Sequence, residues 1–207
     1  MLELIIFDAD GVLFESVDSN IAYYNAIFKA IGEPPLSPDE ERDGIYYATS
    51  QVFENRCRGD MEKLARMKEF ARSLDSAPFF KLLRTPFDLR PFMEELRQKY
   101  RLALATNRSS TVTALIEHLN LVGIFDAVAS ARDKVRPKPA PDIINLCLER
   151  AGVAPQNAVY VGDSQIDHEA ATAAGAHFIG VGARVEHRHI IDGIADLPAA
   201  LARLFGA

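Results

Sequence analysis

Residues 1–16 read MLELIIFDADGVLFES, a short apolar run followed at once by two carboxylates, Asp8 and Asp10, and by Gly11. An almost continuous apolar run that stops at a turn signal is typical of a strand buried in a parallel sheet. Open α/β sheets bind their ligands at the carboxyl ends of such strands. Because buried carboxylates need a partner, we expect a cationic group nearby, and metal-assisted phosphoryl transfer is the working hypothesis.

The composition is that of an ordinary globular protein. The chain has 207 residues, of which 48% are hydrophobic and 25% charged. A formal net charge of −6 gives no support for nucleic-acid binding. Cys57 and Cys147 have no metal-ligand spacing and are expected to be structural thiols of a reduced, intracellular protein. Since the sequence shows neither a membrane-spanning run nor a signal peptide, we expect a cytoplasmic protein without membrane contact.

Periodicity divides the chain into two kinds of segment. Residues 16–88 show only helical spacing, with one helix predicted over Ser19–Ile31 and another containing Tyr46, Tyr47, Val52 and Phe53. From residue 90 onward, short apolar strands alternate with helices, two of which are predicted to begin at Pro91 and Pro139. Strands that alternate with helices predict a doubly wound parallel sheet. The fold class is therefore α/β, with a core formed by residues 1–15 and 89–207 and an all-helical insertion over 16–88.

Polar residues stand where three predicted strands end, and one lysine lies in a proline-rich loop: Asp8 and Asp10, Thr106 and Asn107, Asp163, and Lys138. The ends of parallel strands meet at one edge of a sheet, so these groups can converge. One carboxylate can attack phosphorus and form an aspartyl-phosphate, while a second transfers the proton. Carboxylates together with waters and a phosphate oxygen also suit Mg²⁺. Hydroxyl, amide and ammonium groups can neutralise the phosphoryl oxygens.

Each of these residues also has an ordinary structural explanation. Asp10 and Gly11 could form a hairpin turn, and Asp163 with Ser164 could cap the helix that follows. Asn107 could belong to a simple strand-to-loop turn, and Lys138 could be a solvated surface lysine. Four such coincidences in this order are much less probable than one site.

In combination, the motifs resemble the four signatures of the haloacid dehalogenase-like hydrolase superfamily. They are a DxDG strand end (Asp8, Asp10, Gly11), the strand ending in Thr106, the loop lysine Lys138, and a GDSxxD segment (Gly162, Asp163, Ser164, Asp167). The helical insertion directly after the first motif is similar to the helical-cap subfamily, and most of all to its phosphoglycolate phosphatase and β-phosphoglucomutase branch. The resemblance implies a Rossmann-like core carrying a helical cap.

The resemblance also implies roles for the acidic residues and the lysine. Asp8 would be the nucleophile and a Mg²⁺ ligand. Asp10 would be the general acid and base, with its backbone carbonyl on the metal. Asp163 would complete the protein ligands, and Asp167 would orient the site without touching the metal. Lys138 would bridge Asp8 and the phosphoryl group and keep the nucleophile ionised.

The substrate contacts follow from the same resemblance. Thr106 would bind a phosphoryl oxygen, with the Asn107 amide beside it and Gly11 close to the substrate. The segment from Gly11 to Ser16 and the segment Leu83–Arg90 would be the hinges of the cap. Several basic residues of the cap are candidate contacts for an anionic substrate: Arg56, Arg58, Lys63, Arg66 and Lys68.

The second acid of the first motif favours phosphate esters. Halide departure needs no proton donor, and the family's dehalogenases and phosphonate-cleaving enzymes lack an acid at the position of Asp10. We therefore predict a Mg²⁺-dependent phosphatase for a small, phosphoglycolate-like phosphate ester, as a monomer or homodimer that binds no nucleic acid. The alternatives are a β-phosphoglucomutase-type isomerase and a catalytically silent phosphate-binding regulatory protein.

Overall fold

A parallel sheet of six strands forms the centre of the computed structural model, which describes residues 1–47, 49–108 and 111–206. The strands are β1 (Leu4–Phe7), β2 (Arg101–Thr106), β3 (Ala127–Ser130), β4 (Ala158–Gly162), β5 (His177–Val181) and β6 (Ile190–Ile191). Their order is β3-β2-β1-β4-β5-β6, and every neighbouring pair is parallel. The order reverses beside β1, as in doubly wound folds. The predicted fold class is therefore confirmed.

The helices are distributed as the periodicity indicated. The segment between β1 and β2 contains α1 (Val17–Ala30), α2 (Pro38–Tyr46), α3 (Thr49–Cys57), α4 (Met61–Ser73), α5 (Ala77–Phe80) and α6 (Leu89–Arg97). The later strands are connected by α7 (Val112–His118), α8 (Asp142–Ala151) and α9 (Gln165–Ala174), and α10 (Leu197–Phe205) follows β6. None of the helices in the described part of the chain has both the length and the apolar character needed to span a bilayer.

Both faces of the sheet are covered, which explains why β1 is apolar at every position. Alternate residues of a strand point to opposite faces. Ile5 and Phe7 pack in one cluster with residues of α6 and α10, such as Met93 and Leu197. Leu4 and Ile6 pack in a second cluster with residues of α8 and α9. A strand buried on both faces has no polar side, so the sequence shows a run instead of an alternation.

The helical insertion has an apolar cluster of its own. Its buried members all come from α1 to α4 and the loops between them: Tyr24, Ile27, Phe28, Leu36, Val52, Phe53, Cys57, Leu64 and Met67. The two chain segments that connect it to the sheet lie side by side. Glu15 and Arg84 exchange backbone hydrogen bonds of 2.9 and 3.1 Å in an antiparallel bridge. The insertion thus leaves and re-enters the core at one place.

Several predicted boundaries were wrong. Tyr46 and Val52 belong to two helices, since α2 ends at Tyr46 and α3 begins at Thr49. The helix expected from Pro91 begins at Leu89 because Asp88 caps it, its carboxylate accepting from Arg90 N.

Two further differences lie in the second half of the chain. The helix expected from Pro139 begins at Asp142, and the short strand β6 was missed. A two-residue strand has too little pattern to be recognised from sequence. A helix is also predicted over 110–119; its first residue, Ser110, lies outside the described residues, and α7 covers Val112–His118. Cys57 and Cys147 are buried free thiols, as expected.

Candidate active site

The strand ends converge at the carboxyl edge of the sheet. In the register of the three central strands, Phe7 pairs with Leu104 on one side and with Val161 on the other. The residues that follow these positions are therefore brought together. Asp8 continues β1, and its N–H donates to the carbonyl of Val161 at 2.9 Å. Thr106 and Asp163 stand at the ends of β2 and β4, and all three residues line one cavity.

Lys138 is the cation beside Asp8, the first of the two opening carboxylates. Its ammonium lies 2.8 Å from Asp8 Oδ1, 2.6 Å from Asp167 Oδ1 and 2.8 Å from the Tyr160 hydroxyl oxygen. The lysine is only 5% exposed, so it is not the solvated surface residue of the ordinary explanation. Its pKa is raised above the usual value, because the charges of Asp167 and Asp8 outweigh the effect of burial. A fixed positive charge therefore lies beside the Asp8 carboxylate.

Three carboxylates form a cluster that fits a divalent cation. Asp8, Asp163 and Asp167 are all buried, and each offers one oxygen atom within 4.8 Å of the other two. Burial raises the pKa of Asp8 well above its ordinary value in spite of Lys138, and burial together with Asp167 raises that of Asp163 to about 7. The protein's own cations thus do not balance this negative charge. Hard carboxylate oxygens with an excess of negative charge are the donor set that Mg²⁺ prefers.

The GDSxxD segment places its acids through the start of α9. Ser164 caps this helix, and its hydroxyl donates to Asp167 Oδ2 at 2.6 Å. The same oxygen accepts from the backbone N–H groups of Asp163 and Ser164 at 3.2 and 3.1 Å. Asp167 therefore acts as the N3 residue of a capping box with one oxygen and faces Lys138 with the other. The capping explanation and the acidic cluster are both correct, for different atoms.

Asp10 has a partner that the sequence analysis did not single out. Its two carboxylate oxygens accept from Arg108 Nε at 2.7 Å and Arg108 Nη2 at 2.6 Å. Arg108 Nη2 also donates to Asn20 Oδ1 at 3.2 Å, and the guanidinium lies 5.6 Å from the centre of the Phe14 ring. Burial favours the neutral acid, but the adjacent guanidinium outweighs it, so the pKa of Asp10 lies below its usual value. In this arrangement Asp10 is an ionised acceptor.

Asn107 and Gly11 support other site residues. The Asn107 side chain accepts from Lys138 N at 2.8 Å and donates to the Lys138 carbonyl oxygen at 3.2 Å. This pair of bonds fixes the loop that carries Lys138 to the end of β2. Gly11 has φ +75° and lies directly against the Asp163 carboxylate. The Thr106 hydroxyl, by contrast, accepts a hydrogen bond of 3.2 Å from Arg108 N and contacts no side chain of the described residues through a hydrogen bond.

The helical insertion contributes aromatic and hydroxyl groups, but no cation of the described residues, to the cavity. Tyr23 and Phe79 line it and meet edge to face, with ring centres 5.5 Å apart. The described lining includes none of the five basic cap residues proposed as substrate contacts. Arg56, for example, donates to Glu40 at 2.6 and 2.7 Å, and Lys63 lies 3.3 Å from Glu33. These two cations serve to hold the cap together.

The residues that sequence analysis missed left different signals. Arg108 stands two positions after Thr106, at the mouth of a strand already assigned to the site, and could have been included on that ground. Tyr160 lies in β4, and its side chain points to the face of the sheet on which Lys138 lies. The apolar sequence of this strand does not indicate that the hydroxyl contacts a site residue. Arg184 lies 3.4 Å from Asp163 Oδ2 and 3.1 Å from Glu15 Oε2. Its loop carries no motif.

Comparisons with known proteins agree with this geometry. A family model described as haloacid dehalogenase-like hydrolase matches residues 5–181. The chain is 26% identical over 197 residues to the phosphoglycolate phosphatase of Pseudomonas putida, covering 91% of this chain and 72% of that protein. It is 29% identical over 188 residues to the phosphoglycolate phosphatase of Aliivibrio fischeri, covering 85% and 82%.

A solved structure gives the same result. The subfamily IA haloacid dehalogenase-superfamily hydrolase of Geobacter sulfurreducens superposes with a TM-score of 0.82 at 28% identity, covering 96% of this chain and 99% of that one. Sequence, fold and site geometry together thus identify the chain as a member of the haloacid dehalogenase-like hydrolase family and, within it, as a phosphatase.

Proposed function

We propose that the protein is a Mg²⁺-dependent phosphatase that hydrolyses a small phosphorylated metabolite through an aspartyl-phosphate on Asp8. One observation carries the proposal: the buried acids Asp8, Asp163 and Asp167 share a strand edge with the buried Lys138. Structural ion pairs are found throughout proteins, but three carboxylates beside Lys138 and Arg184 leave an excess of negative charge that a bound cation would balance at neutral pH. Lys138 and a cation held by the acids would together offset the charge of a bound phosphate ester.

In the first half-reaction, an Asp8 carboxylate oxygen attacks phosphorus and the bond from phosphorus to the ester oxygen breaks. The leaving oxygen takes its proton from the carboxylic acid form of Asp10. Lys138 and Thr106 stabilise the charge that develops on the phosphoryl oxygens. Asn107 holds the backbone of Lys138 and so keeps the ammonium in position.

In the second half-reaction, water attacks the phosphorus of the aspartyl-phosphate and Asp10 accepts the proton of that water. Inorganic phosphate is released and Asp8 returns to the carboxylate. Asp8, Asp163 and the Asp10 carbonyl would hold Mg²⁺, which would supply positive charge to offset that of the phosphoryl group. Asp167 positions these groups through its bonds to Lys138 and to the backbone of Asp163.

The two parts of the chain would have different roles in this reaction. Residues 1–15 and 89–207 form the catalytic core, and residues 16–88 form a cap that opens for substrate and closes during the reaction. The cap supplies Tyr23 and Phe79 to the cavity. A small ester fits a cavity with this lining, and the names of the relatives make phosphoglycolate the first compound to test.

The experiment is a phosphate-release assay on a panel of phosphorylated metabolites with purified protein and Mg²⁺. We expect release from at least one small ester, with loss of release on chelation and in Asp8→Asn. Asp192→Asn, which changes an exposed aspartate away from the cavity, serves as the matched control and keeps full activity. Activity that survives in Asp8→Asn would falsify the aspartyl-phosphate route. Isomerisation of a sugar phosphate in the presence of a bisphosphate primer, without free phosphate, would replace it by a mutase.

A further inference from the structure

The bidentate contact between Arg108 and Asp10 uses both oxygens of the carboxylate that the proposed function needs as an acid. Nε and Nη2 of the guanidinium donate to Oδ2 and Oδ1 at 2.7 and 2.6 Å. The side chains are 13% and 20% exposed, so the pair lies within the cleft rather than on the surface. A carboxylate that accepts a donor at each oxygen presents no proton toward the ester oxygen of a substrate. This arrangement must therefore change before Asp10 can act as an acid.

Arg108 cannot simply be left without a partner. A largely buried guanidinium without an acceptor costs far more than an exchange of one anion for another. Asn20 Oδ1 at 3.2 Å is a neutral acceptor and satisfies only one of the five N–H groups. Asp10 is thus released at low cost only when another anion takes its place on the guanidinium.

The cavity gives an incoming anion one place to bind beyond the phosphoryl site. Among the described residues that line it, the cations are Lys138 and Arg108. Lys138 is already shared by Asp8, Asp167 and Tyr160. Arg108 stands at the other side of Asp10, next to residues of the cap such as Asn20 and Tyr23. A group held there belongs to the part of the substrate that leaves, not to the phosphoryl group.

We propose that Arg108 is the specificity-determining residue of the site and selects phosphate esters whose leaving group carries a carboxylate, which replaces Asp10 on the guanidinium. The contact with Asp10 shows that Nε and Nη2 of Arg108 can donate to both oxygens of one carboxylate. The exchange frees Asp10 at the moment when a suitable substrate is bound. An ester without the second anion leaves Asp10 engaged and is turned over slowly. This inference rests on the proposed phosphatase function and adds to it the residue that recognises the leaving group and the exchange that releases Asp10.

The test compares matched esters in wild type and variants. Phosphoglycolate and 3-phosphoglycerate carry the carboxylate, while 2-hydroxyethyl phosphate is of similar size and lacks it. The readout is the ratio of kcat/KM for carboxylated over neutral ester, because a purely structural loss lowers both and leaves the ratio unchanged. We expect Arg108→Gln to lower this ratio by about 100-fold. Arg108→Lys keeps the positive charge but cannot donate to both oxygens of a carboxylate in the same way. Its ratio should be about a tenth of the wild-type ratio.

Arg90→Gln is the matched control, since Arg90 is an arginine on α6 that pairs with Glu94 outside the cavity, and it should leave both rates unchanged. An unchanged ratio in Arg108→Gln for both carboxylated esters would overturn the inference, and so would a wild type that prefers the neutral ester. Those results leave the phosphatase itself standing. If folded wild type releases phosphate from none of these three esters but from another compound of the metabolite panel, the inference fails and the phosphatase stands. Release from no compound of the panel would overturn both.

Discussion

Gly11 and Asp163 share one small space at the edge of the sheet, because a Cβ built on Gly11 would lie 2.0 Å from Asp163 Oδ2. Gly11 also has φ +75°, where any side chain is strained. We expect Gly11→Ala to displace the Asp163 carboxylate and to lower Mg²⁺ affinity by about tenfold or more. Titration of the protein with Mg²⁺, followed by isothermal calorimetry, measures this change.

Gly32→Ala separates the two effects of that substitution. Gly32 has φ +79°, and no heavy atom of the described residues lies within 4 Å of the Cβ position. Both variants should lose about 1 to 2 kcal/mol of unfolding free energy from backbone strain. Only Gly11→Ala should lose Mg²⁺ affinity. Equal Mg²⁺ affinity in the two variants would show that Asp163 does not depend on the small residue beside it.

Removal of the buried lysine should destabilise the protein as well as inactivate it. Lys138→Met leaves Asp8 and Asp167 without their shared cation, and breaking a buried pair in this way costs about 3 to 5 kcal/mol. The Asp167→Asn, Lys138→Met double variant removes one of the orphaned charges and should recover part of this loss. Chemical denaturation of the two single variants and the double variant measures the coupling. If the losses of unfolding free energy in the two single variants add up to the loss in the double variant, the contact between Lys138 and Asp167 does not stabilise the protein. Lys81→Met, at an exposed lysine, is the control.

The acidic cluster should make the benefit of Mg²⁺ depend on pH. The pKa of Asp163 is about 7 in the folded protein and close to 3.8 when the chain is unfolded. For a carboxyl whose pKa is raised by folding, stability is greatest at low pH and is lost as pH rises through the folded pKa. The metal-free protein should therefore lose stability between about pH 4 and about pH 7 from this group.

Bound Mg²⁺ competes with the proton and removes this penalty. The rise in Tm on adding Mg²⁺ should accordingly be larger at about pH 8 than at about pH 5. In Asp163→Asn the metal-free protein should melt at a higher temperature near pH 8, and Mg²⁺ should have little effect. A Mg²⁺-dependent rise of equal size at both pH values in wild type would contradict the assignment of the cluster as the metal site.

Asn107 offers a way to test positioning without touching a charge. Asn107→Ala removes the two bonds to the backbone of Lys138, at 2.8 and 3.2 Å, and lets its loop move. We expect kcat to fall by about tenfold, since small misplacement of a positioned group has large effects on rate. KM should change much less. Steady-state kinetics give both values, with Asn55→Ala on the exposed side of α3 as the control. A rise in KM with an unchanged kcat would instead favour direct contact between Asn107 and substrate.

Strong local patterns allowed much of this architecture to be predicted. β1 could be predicted because burial on both faces requires an apolar residue at every position. The start of α9 could be predicted because Ser164 is a capping residue, and the helix ends at Gly175, which has φ +75°. The convergence of Asp8, Thr106 and Asp163 could be predicted because the ends of parallel strands in register lie at the same edge of the sheet.

The contacts that could not be predicted depend on tertiary structure. The position of Arg108 two residues after Thr106 places it near the site, but the sequence does not indicate that its partner there is Asp10. The cap cations were plausible substrate contacts until their own carboxylate partners, such as Glu33 and Glu40, became visible. The hydroxyl of Tyr160 lies in an apolar strand, and its role as a partner of Lys138 depends on a tertiary contact that the sequence does not show.

The backbone pairing of Glu15 with Arg84 has a consequence for how such an enzyme can diversify. An insertion whose two ends already meet can grow, shrink or be exchanged with little entropic cost, since that cost rises only with the logarithm of loop length. The central strands and their acids would be unaffected by such an exchange. The residues that the insertion contributes to the cavity can therefore change while the acids at the edge of the sheet stay the same, with the paired ends as the boundary between the two.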